Sequence, residues 1–211
     1  MKRDPNDLVR YTAAERVNHW AVGIAFILLA LSGLAFFHPL FFPLTQLFGG
    51  GTWARILHPF IGVLMALSFL AMLARFWKLN LMTPTDWEWL RRVREMVDGN
   101  DQNMPEAGKY NGGQKLLFWL VVVCMAVLIV SGLIIWRAYF SALFPVGLIR
   151  LASVAHAAAA AFMIGLILVH IYAAIWTRGT IRAMSYGTVS RAWAKQHHRR
   201  WYKEMTEQGK Q

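Results

Sequence analysis

The chain has 211 residues, 57% of them hydrophobic, ten tryptophans and a formal charge of +11. A chain this apolar is not a soluble basic protein of the nucleic-acid-binding kind, which would not hold spans of about twenty residues almost free of charge. Its one cysteine, Cys124, excludes an internal disulfide and any cysteine-held iron–sulfur cluster within this chain, and reads as a small apolar helix residue.

In chain order, a charged head (residues 1–18) leads into a first apolar segment at about 18–37. That segment is too long for the apolar core of a signal peptide and lacks a small-residue cleavage site, so it is expected to be retained. The loop "HPLFFPLTQLFGGG" connects it to a second segment at about 53–77. A polar stretch at about 78–115 follows. Its residues 86–97 have helix-like content with Thr85 as the expected N-cap, and residues 98–108 are rich in turn formers. The third segment, about 116–136, is joined by "AYFSALFPVG" to the fourth, about 151–176. In the tail, 177–211, the residues from Ser190 mix Trp, His and Arg as an interfacial helix does.

Each apolar segment can cross a hydrocarbon core of ~30 Å at ~1.5 Å per helical residue. Trp20, Trp53, Trp77, Trp119, Trp136 and Trp176 stand near segment ends, where amphipathic rings favour the headgroup level. The head, the flanked middle stretch (75–115) and the tail hold 19 of the 22 Lys and Arg, and all eleven acids. The positive-inside rule then puts both termini and the middle stretch in the cytoplasm. The expected fold is an all-α integral membrane protein, a single domain built as a bundle of four transmembrane helices, its outer side periplasmic if the host is Gram-negative. The basic excess is expected to meet anionic lipid headgroups and partner surfaces. The two uncharged outer loops, rich in Phe and Pro, suggest a covered surface. A weak echo, "LSGL" (31–34) and "VSGL" (130–133), places small residues at matching depth in the first and third spans, permitting close helix approach or room for a bulky ligand.

Four histidines fall within or at the edges of the spans, in two layers. His58 and His156 lie near the outer ends of the second and fourth spans; His19 and His170 lie towards the inner side on the first and fourth. His156 and His170 are fourteen residues apart. At ~100° per residue they end ~40° short of four full turns, on nearly one face and ~21 Å apart in depth. Ionisable groups at membrane depth usually face a cavity or a partner. A bare metal ion wants more ligands than two imidazoles, whereas a porphyrin supplies four of its own. The pattern points to two haems, one per layer, with His19, His58, His156 and His170 as axial ligands. No C-x-x-C-H occurs, so the haems are expected to be non-covalent and b-type. Small residues at Gly33, Gly62 and from Ala157 to Ala161 suit a flat macrocycle, and Arg55 and Arg137 are candidate partners of its propionates. Six-coordinate haems pass electrons instead of carrying out reactions at the metal. His38, His197 and His198 lie outside the bundle and are expected to be solvated or interfacial.

The stretches "VRYTAAERVNHW", "ARILHPFIGV", "KYNGGQKLLFW", "SGLIIWR" and "VHIYAAIWTRGTIRAM" closely resemble the cytochrome b (gamma) subunits of membrane-bound respiratory formate dehydrogenases. The resemblance covers nearly the whole chain, including "WAKQHHRRWY"; the loops near 38–52 and 97–108 carry little of it. It implies two b haems, with His58 and His156 on the periplasmic one and His19 and His170 on the cytoplasmic one. It also implies a quinone site, for menaquinone or ubiquinone, matching Asn111, Gly113 and Gln114, with His170 beside it. Amides can hydrogen-bond quinone carbonyls, and glycine lets the ring approach backbone; by itself, however, "NGG" also reads as a flexible entry to the third span. The implied partners are an iron–sulfur (beta) subunit and, through it, a molybdopterin catalytic (alpha) subunit, so formate oxidation lies outside this chain. The implied relay runs from the periplasmic partner through the two haems to quinone, with protons drawn from the cytoplasm and a contribution to the proton-motive force; Glu15 and Glu106 are candidate proton donors by location.

Three rivals differ in a testable feature. The cytochrome b subunit of nickel–iron hydrogenase has similar wiring and another donor. A transporter would show inverted repeats with broken helices, which are not evident. A haem-free membrane anchor would not need its histidines.

Overall fold

The structure, a computed structural model, describes residues 7–99 and 104–208; residues 100–103 of the predicted turn-rich stretch lie outside the described residues. Among the described residues, four helices are long and apolar enough to cross a membrane. They are α1 (Ala13–Phe37), α2 (Gly51–Phe76, continued by a 3-10 turn over Trp77–Asn80), α5 (Gly112–Ile135) and α6 (Val146–Trp176). The short helices α3 (Pro84–Arg91) and α4 (Val93–Val97) lie between α2 and α5. After α6 come α7 (Thr180–Tyr186), α8 (Arg191–His197) and α9 (Arg199–Gln208).

Two of the spanning helices, α1 and α5, start ahead of their apolar runs at polar caps. At α1, Thr12 N–H and its hydroxyl donate to Glu15 Oε2 at 2.7 and 3.0 Å, while Glu15 N–H donates back to Thr12 Oγ1 at 3.3 Å. At α5, Gln114 N–H donates to Asn111 Oδ1 at 2.9 Å and Asn111 N–H to Gln114 Oε1 at 3.1 Å. Each is a reciprocal box that satisfies orphan donors at the helix start. The cap of α3 is Thr83, not the expected Thr85. Pro84 occupies the first helical position, and Asp86 reaches back to the Thr83 N–H at 2.8 Å and to its hydroxyl at 2.6 Å.

The chain divides into two compact units. One comprises Val17–Ala74 and Val121–Val169. Its interior is a cluster of Ala25, Met65, Phe69, Cys124, Met125 and Met163, contributed by all four spanning helices. Small and unbranched side chains let the helices approach, and the large aliphatic ones point away: Leu64 and Leu168 are 61% and 62% exposed. That inversion of the soluble pattern suits a lipid surround, where outward apolar side chains carry no penalty. The loop between α1 and α2 is a 3-10 helix, Pro39–Phe48, capped by His38, whose Nδ1 accepts from Leu40 N–H at 3.2 Å. In the loop between α5 and α6, Tyr139 and Phe140 gather edge-on around Trp136, with Phe60 of α2 against the same ring at 5.3 Å.

The other unit comprises Met1–Arg16, Arg75–Leu120 and His170–Gln211. It contains an unforeseen two-stranded sheet, β1 (Leu8–Val9) antiparallel to β2 (Thr188–Val189), with Leu8 opposite Val189. Gly187 makes the turn into β2 at φ +82°, and its carbonyl accepts from Arg10 N–H (2.8 Å) and Tyr11 N–H (3.1 Å). A Cβ there would stand 2.5 Å from Tyr11 O, so only glycine fits.

The tail is helical as expected, but it does not present its Trp and His residues as an interfacial helix would. Trp193, Trp201 and His198 are buried. They close around Arg10, itself only 4% exposed, whose guanidinium lies 4.8 Å from the Trp201 ring centre and 5.0 Å from that of Trp193. Arg10 Nη2 donates to Lys109 O at 2.5 Å and meets His198 Nε2 at 3.2 Å. Arginine can only donate, so Nε2 accepts, and the proton of His198 sits on Nδ1, which donates to Gly108 O at 2.7 Å. The expectation of a solvated or interfacial His198 is thereby corrected.

Candidate functional site

His58 and His156 face each other from α2 and α6. Their ring centres are 6.3 Å apart, with planes inclined at 64°. Both are half-buried. Each ring is held from behind by a serine on a neighbouring helix. Ser32 Oγ of α1 is 2.7 Å from His58 Nδ1, and Ser131 Oγ of α5 is 3.0 Å from His156 Nδ1. Each hydroxyl also bonds the carbonyl one turn back, Leu28 O at 2.8 Å and Val127 O at 2.6 Å. The adjacent glycines lie against the rings, with space for no more than an ordinary contact. A Cβ on Gly33 would stand 3.7 Å from His58 Cε1, and one on Gly132 would stand 3.4 Å from His156 Cε1.

The "LSGL"/"VSGL" echo is thus a matched pair of imidazole supports. Reading it as close helix packing or ligand room missed this. The signal was present, since each Ser-Gly is followed by its histidine at nearly the same interval, 26 and 25 residues. Among the described residues no group of three or more His, Cys, Asp or Glu converges. A bare ion between these two rings would therefore lack ligands.

His19 lies on α1, half-buried, with its ring edge-on to Trp20 at 5.6 Å. His170 lies on α6, exposed at its surface. The two belong to different compact units.

Asn111, Gly113 and Gln114 stand at the start of α5, in the same unit as His170. The Asn111 and Gln114 side-chain oxygens are engaged in the helix cap, which does not use their amide N–H groups. The two glycines are packed, not loose. A Cβ on Gly112 would meet Asp86 O at 2.5 Å, and one on Gly113 would meet the Trp89 ring at 3.0 Å. Beside them Lys115 Nζ donates to Asp86 Oδ2 at 2.7 Å and to Leu81 O at 3.1 Å, in a pair under a tenth exposed. Burial pushes the Asp86 carboxyl up, but the bonds from Lys115 and Thr83 outweigh it and hold the group below its usual range.

Of the candidate proton donors, Glu15 is paired with Arg75 at 2.8 Å and Glu106 with Lys203 at 2.8 and 2.9 Å. Arg55 is exposed over the Phe36 ring and lines an open pocket with Ala35, His38, Pro39 and Phe42; Arg137 is also exposed. His38 is exposed at its loop cap.

Residues 10–187 match the family described as prokaryotic cytochrome b561. The formate dehydrogenase cytochrome b556(fdo) subunit of Escherichia coli K12 is 48% identical over 97% of this chain and 96% of its own. The nitrate-inducible formate dehydrogenase cytochrome b556(Fdn) subunit of the same organism is 44% identical over 94% of this chain and 91% of its own. The formate dehydrogenase cytochrome b556 subunit of Haemophilus influenzae is 41% identical, over 93% and 83% respectively.

Proposed function

The chain belongs to the prokaryotic cytochrome b561 family, and from that premise we propose that it is the cytochrome b subunit of a formate dehydrogenase, carrying electrons across the membrane from a formate-oxidising partner to quinone. Membership implies a b-type haem, and the observation that carries the assignment is the facing pair His58 and His156. His58 and His156 would hold that haem: with a metal–imidazole bond of ~2 Å on each side and roughly 1 Å from nitrogen to ring centre, two rings sharing one iron would stand roughly 6 Å apart. The 6.3 Å between these centres fits that span. His19 and His170 are proposed as the second pair on their depth in the sequence and on the resemblance. A haem held by two imidazoles takes up and releases single electrons and offers no open position to a substrate.

The remaining work falls to this chain's own side chains. The amide N–H groups of Asn111 and Gln114 hydrogen-bond quinone carbonyls at the cytoplasmic side; Gly113, which the resemblance also places there, has its open side filled by the Trp89 ring and serves the site by letting that ring pack against the start of α5. Protons for quinol come from the cytoplasm, so electron arrival there contributes to the proton-motive force. Near-full-length identity to three formate dehydrogenase subunits favours formate dehydrogenase over a hydrogenase as the source of electrons. The partners on this reading are an iron–sulfur subunit and, beyond it, the molybdopterin catalytic subunit.

The test uses the complex purified from membranes, with haem counted per chain. His58→Ala and His19→Ala are each expected to remove one of two haems and to abolish formate-to-quinone turnover, while formate oxidation by a soluble artificial acceptor persists. Full haem content in both variants would overturn the proposal.

A further inference from the structure

The two serine hydroxyls behind the facing histidines fix which nitrogen of each ring is available. A hydroxyl has one proton to give. Ser32 Oγ lies 2.8 Å from Leu28 O, an atom that can only accept, and 2.7 Å from His58 Nδ1. With the serine proton directed at the carbonyl, the serine oxygen accepts from a protonated Nδ1, and both contacts are satisfied. With the proton directed at Nδ1 instead, two oxygen lone pairs would oppose each other at 2.8 Å in a site where Ser32 is 0% exposed and water cannot intervene. The same count holds at Ser131, with Val127 O at 2.6 Å and His156 Nδ1 at 3.0 Å.

We infer that Ser32 and Ser131 are positioning residues that hold His58 and His156 as Nδ1–H tautomers, leaving Nε2 of each ring unprotonated to bind iron and making both ligands more electron-donating. A ligating histidine is normally oriented and made more basic by an acceptor at its second nitrogen, and removing such a partner typically changes metal affinity or activity by about 10–100-fold. Here a hydroxyl polarised by the helix carbonyl behind it stands at Nδ1 of each ring, and His156 also hydrogen-bonds the Leu128 carbonyl. A more donating imidazole favours the oxidised iron, so deleting the hydroxyl raises the midpoint potential.

The inference rests on the proposed haem ligation by His58 and His156, and the experiment separates the two. Haem content and the midpoint potentials of both b components are measured in the purified complex, for His58→Ala, Ser32→Ala, Ser131→Ala, Ser32→Thr, Ser131→Thr and Ser153→Ala. Ser153 makes the same backward bond, to Ile149 O at 2.8 Å, but is exposed, so it controls for loss of a helix hydroxyl as such. The expected result is one potential raised by on the order of tenfold in the redox equilibrium, ~59 mV for one electron, in each alanine variant. The other potential stays in place, Ser153→Ala shifts nothing, and the threonine variants, which keep the hydroxyl, lie closer to the parent. Loss of that one haem in an alanine variant, with retention in the threonine variant, supports the inference equally. If His58→Ala removes a haem while both alanine variants keep their haems and leave both potentials unmoved, the serine role is wrong and the ligation stands. If His58→Ala keeps both haems, the ligation itself is wrong.

Discussion

His198 is an imidazole that stays neutral throughout the ordinary pH range. Burial and the neighbouring Arg10 charge bring its pKa from near 6.5 down to about 3, against a small opposing effect of the bond to Gly108. The folded protein therefore binds fewer protons at this position than the unfolded chain does between those values. The group's contribution to stability is complete above pH 6.5 and is lost as pH falls towards 3, by up to ~1.4 kcal/mol per pH unit. Thermal unfolding of the purified protein from pH 7 to 4 should show that slope. His198→Asn should be less stable at pH 7 and lose stability less steeply on acidification; identical slopes would contradict the assignment. At this scale the sequence was readable where chemistry met periodicity. The unusual depth of His58 and His156 marked them as a pair before any contact was known. It was unreadable where burial is made by a distant segment. Nothing in "QHHRRWY" separates His198 from His197, because the partner that distinguishes them, Arg10, is 188 residues away.

The start of α5 combines two roles in one pair of side chains, and their chemistry lets them be separated. The oxygens of Asn111 and Gln114 hold the helix end, and the amide nitrogens are the proposed quinone donors. Asn111→Asp and Gln114→Glu keep a capping oxygen and delete the N–H donors, so quinone turnover should fall while thermal stability holds. Asn111→Ala removes both functions and should also cost about 1 kcal/mol of stability. Unchanged quinone kinetics in the Asp and Glu variants would remove these amides from the site. Element boundaries were legible from the apolar runs to within about a turn. The polar boxes that extend them, Thr12 with Glu15 and Asn111 with Gln114, follow the capping pattern but lie outside the hydrophobic signal. At α3 two threonines competed. Pro84 next to Thr83, and Asp86 three residues on, decide for Thr83, because proline is best placed at the first helical position. The β1–β2 pairing was invisible, since two residues per strand leave no alternation to detect.

For the molecule as a whole, the charge distribution predicts sidedness. A cysteine at Lys195 should react with an impermeant maleimide in inverted vesicles and not in spheroplasts, and one at Leu143, 75% exposed between α5 and α6, should do the reverse. The opposite pattern would turn the proposed direction of electron flow around. Four spans and their polar joints could be read from hydropathy because a bilayer imposes length and charge rules that hold residue by residue. The Ser-Gly supports could not be read with the same certainty, because an echo of four letters gains meaning only when the opposing histidine is seen against it. Those supports also bear on biogenesis. One helical hairpin contributes Ser32 and His58, the other Ser131 and His156. On the proposed ligation, neither half alone supplies both iron ligands. Cofactor loading at that level would then report that translation and insertion of the complete polypeptide have finished, so the pigment would act as a checkpoint on assembly as well as a carrier.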